Sequence, residues 1–476
     1  MRRSLFLIPG LLLTATLFTA MTPSPPPPGW IPPPELQSKP VLAGKVDSLV
    51  AVWVDGREGD ASRLYWTRWP GTLPDTAAAR VTAAAGAEID PALGADDWAL
   101  VVWQDVSSGA RSLWGRRLPE GGPPAPGGAT LLAPGPAPCR RPAVAVRGDT
   151  ALVVWEDERD APGTLYSATW LRDGGPVNPG GTALPGATGP RFRPRVAAGP
   201  LGFVAVWGED GGPVAGQVFS GDGVSLGAPF DISSGTGFEP DIAAGPDGYL
   251  VVWRTPDGVD GDLAARFLGP DGVPTAPAWD LGIGAGLEFA ARVARADSGW
   301  YLVWNRQSAA GRSLEWGVLG ETGVWSSAPE ELASSADFTA DPAVLGLGAA
   351  AAVAWRVPQP GDDDDLVLAW VTEAGGLLGA GPLTLVPDPV LGVPGPGPTP
   401  NLTASPNPFR GVVHIGGVSG VVEVFDVAGR RVRILAGEAE PTSWDGRDDG
   451  GRDLPPGVYF LRGTGGSEAR RVVKLP

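Results

Sequence analysis

Tryptophan recurs along this chain at a nearly constant interval, and that periodicity restricts the fold more than any other feature of the sequence. An apolar pair or triplet that ends in Trp occurs seven times, and successive copies are 50, 52, 52, 46, 51 and 51 residues apart. Regular repetition on this scale predicts an array of one supersecondary unit rather than a single irregular core. The repeated residues are Trp53, Trp103, Trp155, Trp207, Trp253, Trp304 and Trp355.

Each repeat has the pattern of four short strands. A Pro stands 12 or 13 residues before the Trp in six copies, and only the sixth copy has Ala291 there. A small apolar strand, a Gly-containing turn, the Trp strand, a third strand and a weaker fourth strand follow in order. Gly-Asp-Gly and Pro-Asp-Gly turns, such as those at 221–223 and 270–272, favour tight antiparallel connections. The pattern predicts one four-stranded antiparallel sheet per repeat.

The Trp strands are apolar at consecutive positions, as in Val153, Val154 and Trp155. Such a strand is typical of a sheet covered on both faces. An open solenoid of these units would expose its end faces and would need polar capping repeats, which the sequence lacks. We therefore predict an all-β protein in which residues 39–391 form a seven-bladed β-propeller.

The third repeat reads Leu-Val-Val-Trp-Glu-Asp-Glu-Arg over residues 152–159. It resembles the repeats of large secreted bacterial propeller-like proteins, whose pattern is Leu-Val-Val-Trp-acid-Asp-x-Arg. The fifth to seventh copies depart from this pattern after the Trp. The resemblance implies a propeller fold and an extracellular setting, and it implies no defined activity.

The N-terminus has the features of an export signal. Two arginines precede an apolar run over residues 5–18, which is short for a membrane span. We predict a signal peptide over 1–20 and a Pro-rich linker over 21–38, with no membrane span after processing. Phe18 stands where signal peptidase prefers a small residue, so an uncleaved N-terminal anchor remains the alternative.

A Pro/Gly linker over 392–400 separates the repeats from a different unit at 401–476. Its six or seven short strand patterns predict a small Ig-like β-sandwich. Its motifs resemble the type A sorting domain of the type IX secretion system and the Ig-like domain of the flagellar hook-capping family. The first resemblance implies recognition by a secretion translocon, whereas a purely structural sandwich is the alternative. The motif residues are Pro406, Asn407, Pro408, Phe409, Asp426, Gly429, Arg430, Trp444, Asp445, Gly446, Gly457 and Tyr459.

Charge and composition exclude several classes of function. The net charge of −17 opposes binding to nucleic acid and to anionic membranes. One Cys and one His are too few for an internal disulfide or a structural zinc site. We expect Cys139 to be a small buried residue. His414 lies in the C-terminal unit, where we expect it to be structural rather than part of a Ser-His-Asp triad.

Acidic residues follow the Trp strand at Asp105, Glu156, Asp157 and Glu209. Because these positions repeat, we interpret them as turn residues rather than as the carboxylate pair of a glycosidase. We predict that the protein is not an enzyme and has no cofactor.

Asp-rich loops before the third strand suggest a second kind of ligand, a calcium ion. The candidate ligands are Asp260, Asp262, Asp363 and Asp365, although none of these loops has the spacing of a full calcium-binding loop. Solvated Asp turns are the alternative.

The function predicted from these features is a non-catalytic secreted or cell-surface propeller, a scaffold or adhesion module displayed through its C-terminal unit. Its partner would be an extracellular protein or a glycan. The alternative is a carbohydrate-binding or carbohydrate-hydrolysing propeller. Tryptophans of the repeated strand are expected in the core, whereas Trp69, Trp170 and Trp370 are expected to be more exposed and available to stack on sugars.

Overall fold

The computed structural model shows an all-β protein, because every regular element in its described part is a strand. The chain forms two compact units, Met1–Pro389 and Val390–Pro476. No helix in the described part could cross a membrane. The described residues are 38–45, 48–56, 62–69, 79–82, 87–106, 111–119, 128–135, 137–186, 189–256, 262–283, 286–309, 311–335, 341–359, 363–377, 383–384, 403–405, 411–416, 420–426, 431–437, 442–455, 457–463 and 470–474.

The predicted signal peptide, both predicted linkers and the Pro406–Phe409 motif therefore lie outside the described residues, apart from Ser38, the last residue of the first linker.

In its described part, the first unit contains seven antiparallel sheets, each built from strands that are consecutive in the chain. Six sheets have four strands, as predicted. The third has five, because two short segments, β12 and β13, both pair with β11. The strands are, in the first sheet, β1 (Ser38–Lys45), β2 (Ser48–Asp55), β3 (Arg63–Trp69) and β4 (Ala79–Arg80); in the second, β5 (Glu88–Ala95), β6 (Ala99–Asp105), β7 (Ser112–Leu118) and β8 (Thr130–Ala133); in the third, β9 (Cys139–Arg147), β10 (Thr150–Asp157), β11 (Thr164–Leu171), β12 (Gly175–Pro176) and β13 (Thr182–Ala183); in the fourth, β14 (Arg191–Ala198), β15 (Gly202–Glu209), β16 (Pro213–Ser220) and β17 (Ser225–Thr236); in the fifth, β18 (Phe238–Gly245), β19 (Gly248–Arg254), β20 (Leu263–Leu268) and β21 (Trp279–Asp280); in the sixth, β22 (Leu287–Arg295), β23 (Gly299–Ser308), β24 (Gly311–Gly320) and β25 (Trp325–Ser335); and in the seventh, β26 (Ala343–Gly346), β27 (Ala350–Gln359), β28 (Asp363–Thr372) and β29 (Leu383–Thr384).

The sheets pack face to face, and the second strand of each is covered on both sides. In β10, Val153 belongs to the core between the second and third sheets, whereas Val154 belongs to the core between the third and fourth. Side chains of consecutive residues in a strand point to opposite faces, so an apolar run covers both. The seven repeated tryptophans are all buried, with at most 2% of each residue exposed.

The series of sheets closes on itself. Leu49 of β2 shares a hydrophobic cluster with Ala354 of β27 and Trp370 of β28, so the seventh sheet packs on the first. The first strand of every sheet contacts the first strand of the next, and β26 contacts β1. A closed succession of this kind places the first strands of the sheets innermost, around a central axis, and the fourth strands outermost.

The second unit has two sheets in its described part. One has the order β30 (Thr403–Ser405), β31 (Val413–Gly416) and β34 (Thr442–Trp444). The other has the order β33 (Arg431–Gly437), β32 (Gly420–Asp426), β35 (Gly457–Gly463) and β36 (Arg470–Lys474). One hydrophobic core draws side chains from both sheets. At its centre Trp444 meets Tyr459 edge to face, with ring centroids 5.1 Å apart.

Candidate functional site at the centre of the sheet ring

Six inner strands share a β-bulge at the position where the sequence repeats its proline. The register of each strand against its partner shifts there. Proline suits a bulge because it has no N–H to give to the ladder. The residue just before the Pro, or before Ala291 in the sixth sheet, has a left-handed φ of 49° to 54°. These residues are Lys39, Asp90, Arg141, Arg193, Glu239 and Ala290.

Five of these six bulge residues are charged, and all of these except Arg141 form ion pairs that connect neighbouring sheets. Lys39 pairs with Asp90, and Arg193 pairs with Glu239. The second carboxylate oxygen of Glu239 accepts a hydrogen bond of 3.0 Å from the backbone N–H of Ala290. Glu239 therefore also satisfies a backbone N–H at the inner edge of the next sheet, where no further strand is present to do so. We call this ring of bulge residues the axial rim.

Glu156, at the end of β10, lies against the rim and is 2% exposed. Its carboxylate accepts hydrogen bonds from Arg140 Nε at 3.0 Å, from Arg141 Nη1 at 3.1 Å and from the backbone N–H of Arg193 at 2.7 Å. This buried carboxylate thus joins the third sheet to the fourth.

A second ring of side chains lies two residues after the bulge residue on each inner strand. In three sheets its residues depart from the repeat. Four sheets have a small or apolar residue there, but the fourth, fifth and sixth have Arg195, Asp241 and Arg292. Arg195 Nε lies 3.2 Å from Asp241 Oδ1, and the other Asp241 oxygen accepts a 2.9 Å hydrogen bond from the N–H of Val293. We call these three charged residues the axial triad.

The environment of Arg195 is unusual for an arginine. About a third of its side chain is exposed, at 31%. Desolvation by the surrounding strands, followed by repulsion from the Arg292 guanidinium, lowers the Arg195 pKa to about 10. Two like charges therefore lie close together, and the Asp241 carboxylate is paired with only one of them, Arg195.

An acidic residue two positions after the repeated Trp accepts a hydrogen bond from its indole in three sheets. Asp55 Oδ2 accepts from Trp53 Nε1 at 3.1 Å, and Asp157 Oδ2 accepts from Trp155 Nε1 at 3.0 Å. Glu209 is in the equivalent position, 3.4 Å from Trp207 Nε1. An acid two residues later supplies the acceptor for the buried indole N–H in these three sheets, whereas the indole N–H groups of Trp103, Trp304 and Trp355 have no hydrogen-bond partner among the described residues.

Asp157 has the richest set of partners in this group. It is fully buried and also accepts from the backbone N–H of Arg159 at 3.0 Å, from Arg159 Nε at 2.9 Å and from Cys139 Sγ at 3.2 Å. Burial opposes its ionisation, but the hydrogen bonds from Arg159 and Trp155 hold its pKa below the ordinary value. Burial, together with the nearby Asp157 charge, raises the pKa of Cys139 to about 12. This thiol is buried, as the sequence predicts.

The structure describes the side chain of only one of the four calcium candidates. Asp262 is half-buried before β20, Asp260 lies outside the described residues, and only the backbones of Asp363 and Asp365 are described, in β28. No group of three or more acidic, His or Cys side chains suited to a metal ion occurs among the described residues. Calcium binding stays a prediction.

The prediction of exposed third-strand tryptophans is wrong for Trp170 and Trp370, which are 4% and 6% exposed. Trp170 packs in the core between the second and third sheets, and Trp370 packs against Leu49 of the first sheet. The ends of these third strands are still inside the contact between neighbouring sheets. The Trp69 side chain is outside the described part, and none of the tryptophans with a described side chain is exposed.

The sorting-like motif can be located only in part. Trp444 and Tyr459 are in the core of the second unit, and the Tyr459 hydroxyl donates a 2.6 Å hydrogen bond to the carbonyl of Pro455. Gly446 has a φ of 74° in the turn after Trp444. Asp445 is exposed, while only the backbones of Asp426 and Gly457 are described, and Gly429 and Arg430 lie outside the described residues.

His414 is exposed on β31, where its Nδ1 lies 2.9 Å from the hydroxyl of Ser443 on the paired strand β34.

The axial triad is the feature that the sequence interpretation missed. The residues that follow the repeated proline slot are Val41, Ala92, Ala143, Arg195, Asp241, Arg292 and Ala343. Alignment of the repeats on that slot would have shown a charged residue in three successive repeats and a small or apolar residue in the other four. The sequence therefore contains the unusual residue types, but it does not show that the three side chains lie close together.

Comparison with known proteins gives no family assignment. No protein-family model matches the chain, and no curated protein sequence matches it. Among solved structures, the BP39L lectin from Burkholderia pseudomallei is 18% identical, with 74% of this chain and 100% of that chain covered and a TM-score of 0.47. The β-propeller domain of the Trilobed protease from Pyrococcus furiosus is 7% identical, with 74% and 99% covered and a TM-score of 0.44. The α-L-arabinanase of Penicillium chrysogenum is 14% identical, with 73% and 96% covered and a TM-score of 0.41. Identities and TM-scores this low transfer no activity to this chain, and the ring of sheets rests on the packing described above.

Proposed function

We propose that this chain is a non-catalytic extracellular recognition scaffold. In this proposal the first unit is a seven-bladed β-propeller that presents its axial end to a ligand. The second unit is an Ig-like sandwich that a secretion translocon recognises for export to the cell surface or the medium.

The observation that carries the non-catalytic assignment is the state of the axial carboxylates. Asp90 is paired with Lys39, Glu239 with Arg193 and Asp241 with Arg195. Glu156 accepts from two arginines and from a backbone N–H, as described above. Glycoside hydrolysis needs one carboxyl that can donate a proton and a second that acts as base or nucleophile. Each of these four carboxylates is already engaged by a cation or an amide donor, so none of them presents the free pair of carboxyl groups that this chemistry uses.

The alternative of a sugar-binding propeller loses two of its candidate stacking platforms, because Trp170 and Trp370 are buried. Sugar stacking needs an accessible aromatic face. The half-buried indoles of Trp114, Trp279 and Trp325 are the remaining candidates within the described part.

A glycan array followed by a reducing-sugar assay on the same polysaccharides tests the proposal, with the purified full chain as the sample. We expect no release of sugar from any polysaccharide. Binding without cleavage would identify the ligand and support the recognition role. Release of sugar that is abolished by Glu239→Gln would overturn the non-catalytic assignment.

Export through the second unit is tested by comparing the full chain with a chain that ends at residue 400, both expressed in a bacterium with a type IX system. We expect the full chain at the surface or in the medium and the shortened chain in the periplasm. Equal surface delivery of both chains would refute the sorting role. Mass spectrometry of the delivered protein would show whether residues beyond about 400 are removed, as the resemblance to sorting domains implies.

A further inference from the structure

We propose that the axial triad of Arg195, Asp241 and Arg292 is an oxyanion-binding site. Its ligand would carry a singly charged carboxylate or phosphate group into the centre of the ring. The proposal rests on the recognition function proposed above and specifies the chemistry of the ligand.

The triad lies in three consecutive sheets at one level of the inner strands. Arg195 is on β14, Asp241 on β18 and Arg292 on β22, and these strands contact one another in that order. Asp241 therefore lies between the two arginines. The ion pair with Arg195 uses one oxygen of its carboxylate, and the backbone N–H of Val293 uses the other.

Arg292 has no carboxylate partner among the described residues. Its Nη1 donates a 2.8 Å hydrogen bond to the carbonyl of Ala291, which leaves the positive charge uncompensated. Arg195 makes the corresponding bond, from Nη1 to the carbonyl of Pro194 at 3.2 Å. Each guanidinium group is thus held by the carbonyl of the residue before it in the chain. Each also has further N–H groups that do not donate to this carbonyl.

The charges around the triad do not cancel. Above it on the axial rim, Arg193 and Glu239 form their own pair. These two residues and the triad together contain three guanidinium groups and two carboxylates, so one positive charge remains. In surroundings that already lower the pKa of Arg195, a bound monoanion would relieve the repulsion between the two arginines.

A purely architectural role would not give this distribution. The bulge recurs in six sheets, but the other four sheets of the ring need no charge at the triad level. A departure from the repeat that is confined to three adjacent sheets points to a local task. The residues at this level in the other four sheets, Val41, Ala92, Ala143 and Ala343, carry no charge.

Guanidinium chemistry specifies the class of ligand. Arginine presents planar N–H donors that match the oxygens of a carboxylate or phosphate in a bidentate manner. A neutral sugar would not neutralise the excess charge, and a cation would be repelled. The Asp241–Arg195 pair already shows the arginine's preference for a carboxylate within this cluster.

Isothermal titration calorimetry on the full chain tests the proposal at constant ionic strength. The probes are sodium D-glucuronate and inorganic phosphate, with D-glucose as the neutral control. We expect saturable binding of at least one anion and none of glucose. Arg292→Gln should weaken anion binding about tenfold or more, because hydrogen bonds to charged groups contribute about 1.5–3 kcal/mol.

Two further variants separate binding from damage to the fold. Asp241→Asn removes the carboxylate that competes with the ligand, so it should strengthen anion binding, an effect that damage to the site would not produce. Arg117→Gln removes an arginine of β7 whose side chain is 37% exposed and paired with Asp173, and it should leave anion affinity unchanged.

Saturable binding of glucuronate but not phosphate would assign a carboxylate ligand, and the reverse would assign a phosphate. Absence of saturable binding for both anions, or equal affinity in the wild type and Arg292→Gln, would overturn the oxyanion site. Neither result would affect the non-catalytic assignment, which the sugar-release assay tests separately.

Discussion

Removal of the Asp157 carboxylate should destabilise the first unit far more than removal of an exposed acid from the same sheet. Asp157→Ala would leave Trp155 Nε1 buried without its acceptor, and Cys139 Sγ would keep only its 3.7 Å contact with the carbonyl of Ala137. Arg159 would also lose its partner, but 32% of its side chain is exposed and can be rehydrated, so it adds less. An unsatisfied buried donor costs about 1–3 kcal/mol, and we expect a total loss of about 3 kcal/mol.

Differential scanning calorimetry measures this loss. For a unit of more than 250 residues, about 1–2 °C of Tm corresponds to each kcal/mol, so Asp157→Ala should lower Tm by about 4 °C. The matched control is Asp149→Ala, where the side chain is 82% exposed and lies 3.7 Å from Arg172. This exposed substitution should change the free energy of unfolding by about 0.5 kcal/mol or less.

The pH dependence of the same pair of proteins checks the mechanism. The folded structure lowers the pKa of Asp157 below its ordinary value of 3.8. Its stabilising effect is therefore fully present above that value and is lost as the pH falls through the lowered pKa. The difference in Tm between wild type and Asp157→Ala should be constant near neutrality and should shrink at acid pH. Equal Tm values for Asp157→Ala and Asp149→Ala at pH 7 would refute the reasoning.

Three further predictions follow from buried groups. Gly181→Ala should cost about 2 kcal/mol or more in calorimetry, because its φ is 69° and the new Cβ would collide with the Trp155 ring; Gly175→Ala, with a φ of 73° and open space around it, isolates the cost of the backbone alone. Cys139 should resist a thiol reagent at pH 8 in the folded protein and react in denaturant, because burial raises its pKa to about 12; a rapid reaction in the folded state would contradict its burial. Burial raises the pKa of Glu288 from 4.5 to about 7, so the wild type should lose stability as the pH rises through that interval. Glu288→Gln should therefore increase the free energy of unfolding at pH 8 by about 2 kcal/mol, seen as a higher Tm, and should have little effect at pH 4.

The sequence predicts the strands of the first unit well because its strongest signal is a direct consequence of packing. Val153 and Val154 face different neighbouring sheets, so both must be apolar, and the run that results is visible without a structure. The repeated proline is informative for a similar reason. It marks a bulge at which the inner strand gives up ladder hydrogen bonds, and only a few residue types tolerate that geometry.

The error over Trp170 shows where such patterns stop being informative. The residue lies near the end of a third strand, next to a turn, and that position suggested exposure. The neighbouring sheet has Gly115 at the point of contact, and a Cβ there would collide with the Trp170 ring. Burial of this indole thus depends on a glycine 55 residues earlier in the chain, a pairing that the local pattern around Trp170 does not encode.

The axial triad has the opposite relation to the repeat. The residues that recur in the repeats build the ring, because every sheet must pack against two neighbours and must pair the polar groups of its innermost strand. A chemical task needs a departure from that symmetry, because a single ligand at the axis cannot meet all sheets equally. Arg195, Asp241 and Arg292 form such a departure, and an architectural account of the fold gives no reason for an uncompensated charge among them. The same repeat that identifies the scaffold therefore identifies, by its three exceptions, the place where a ligand would bind.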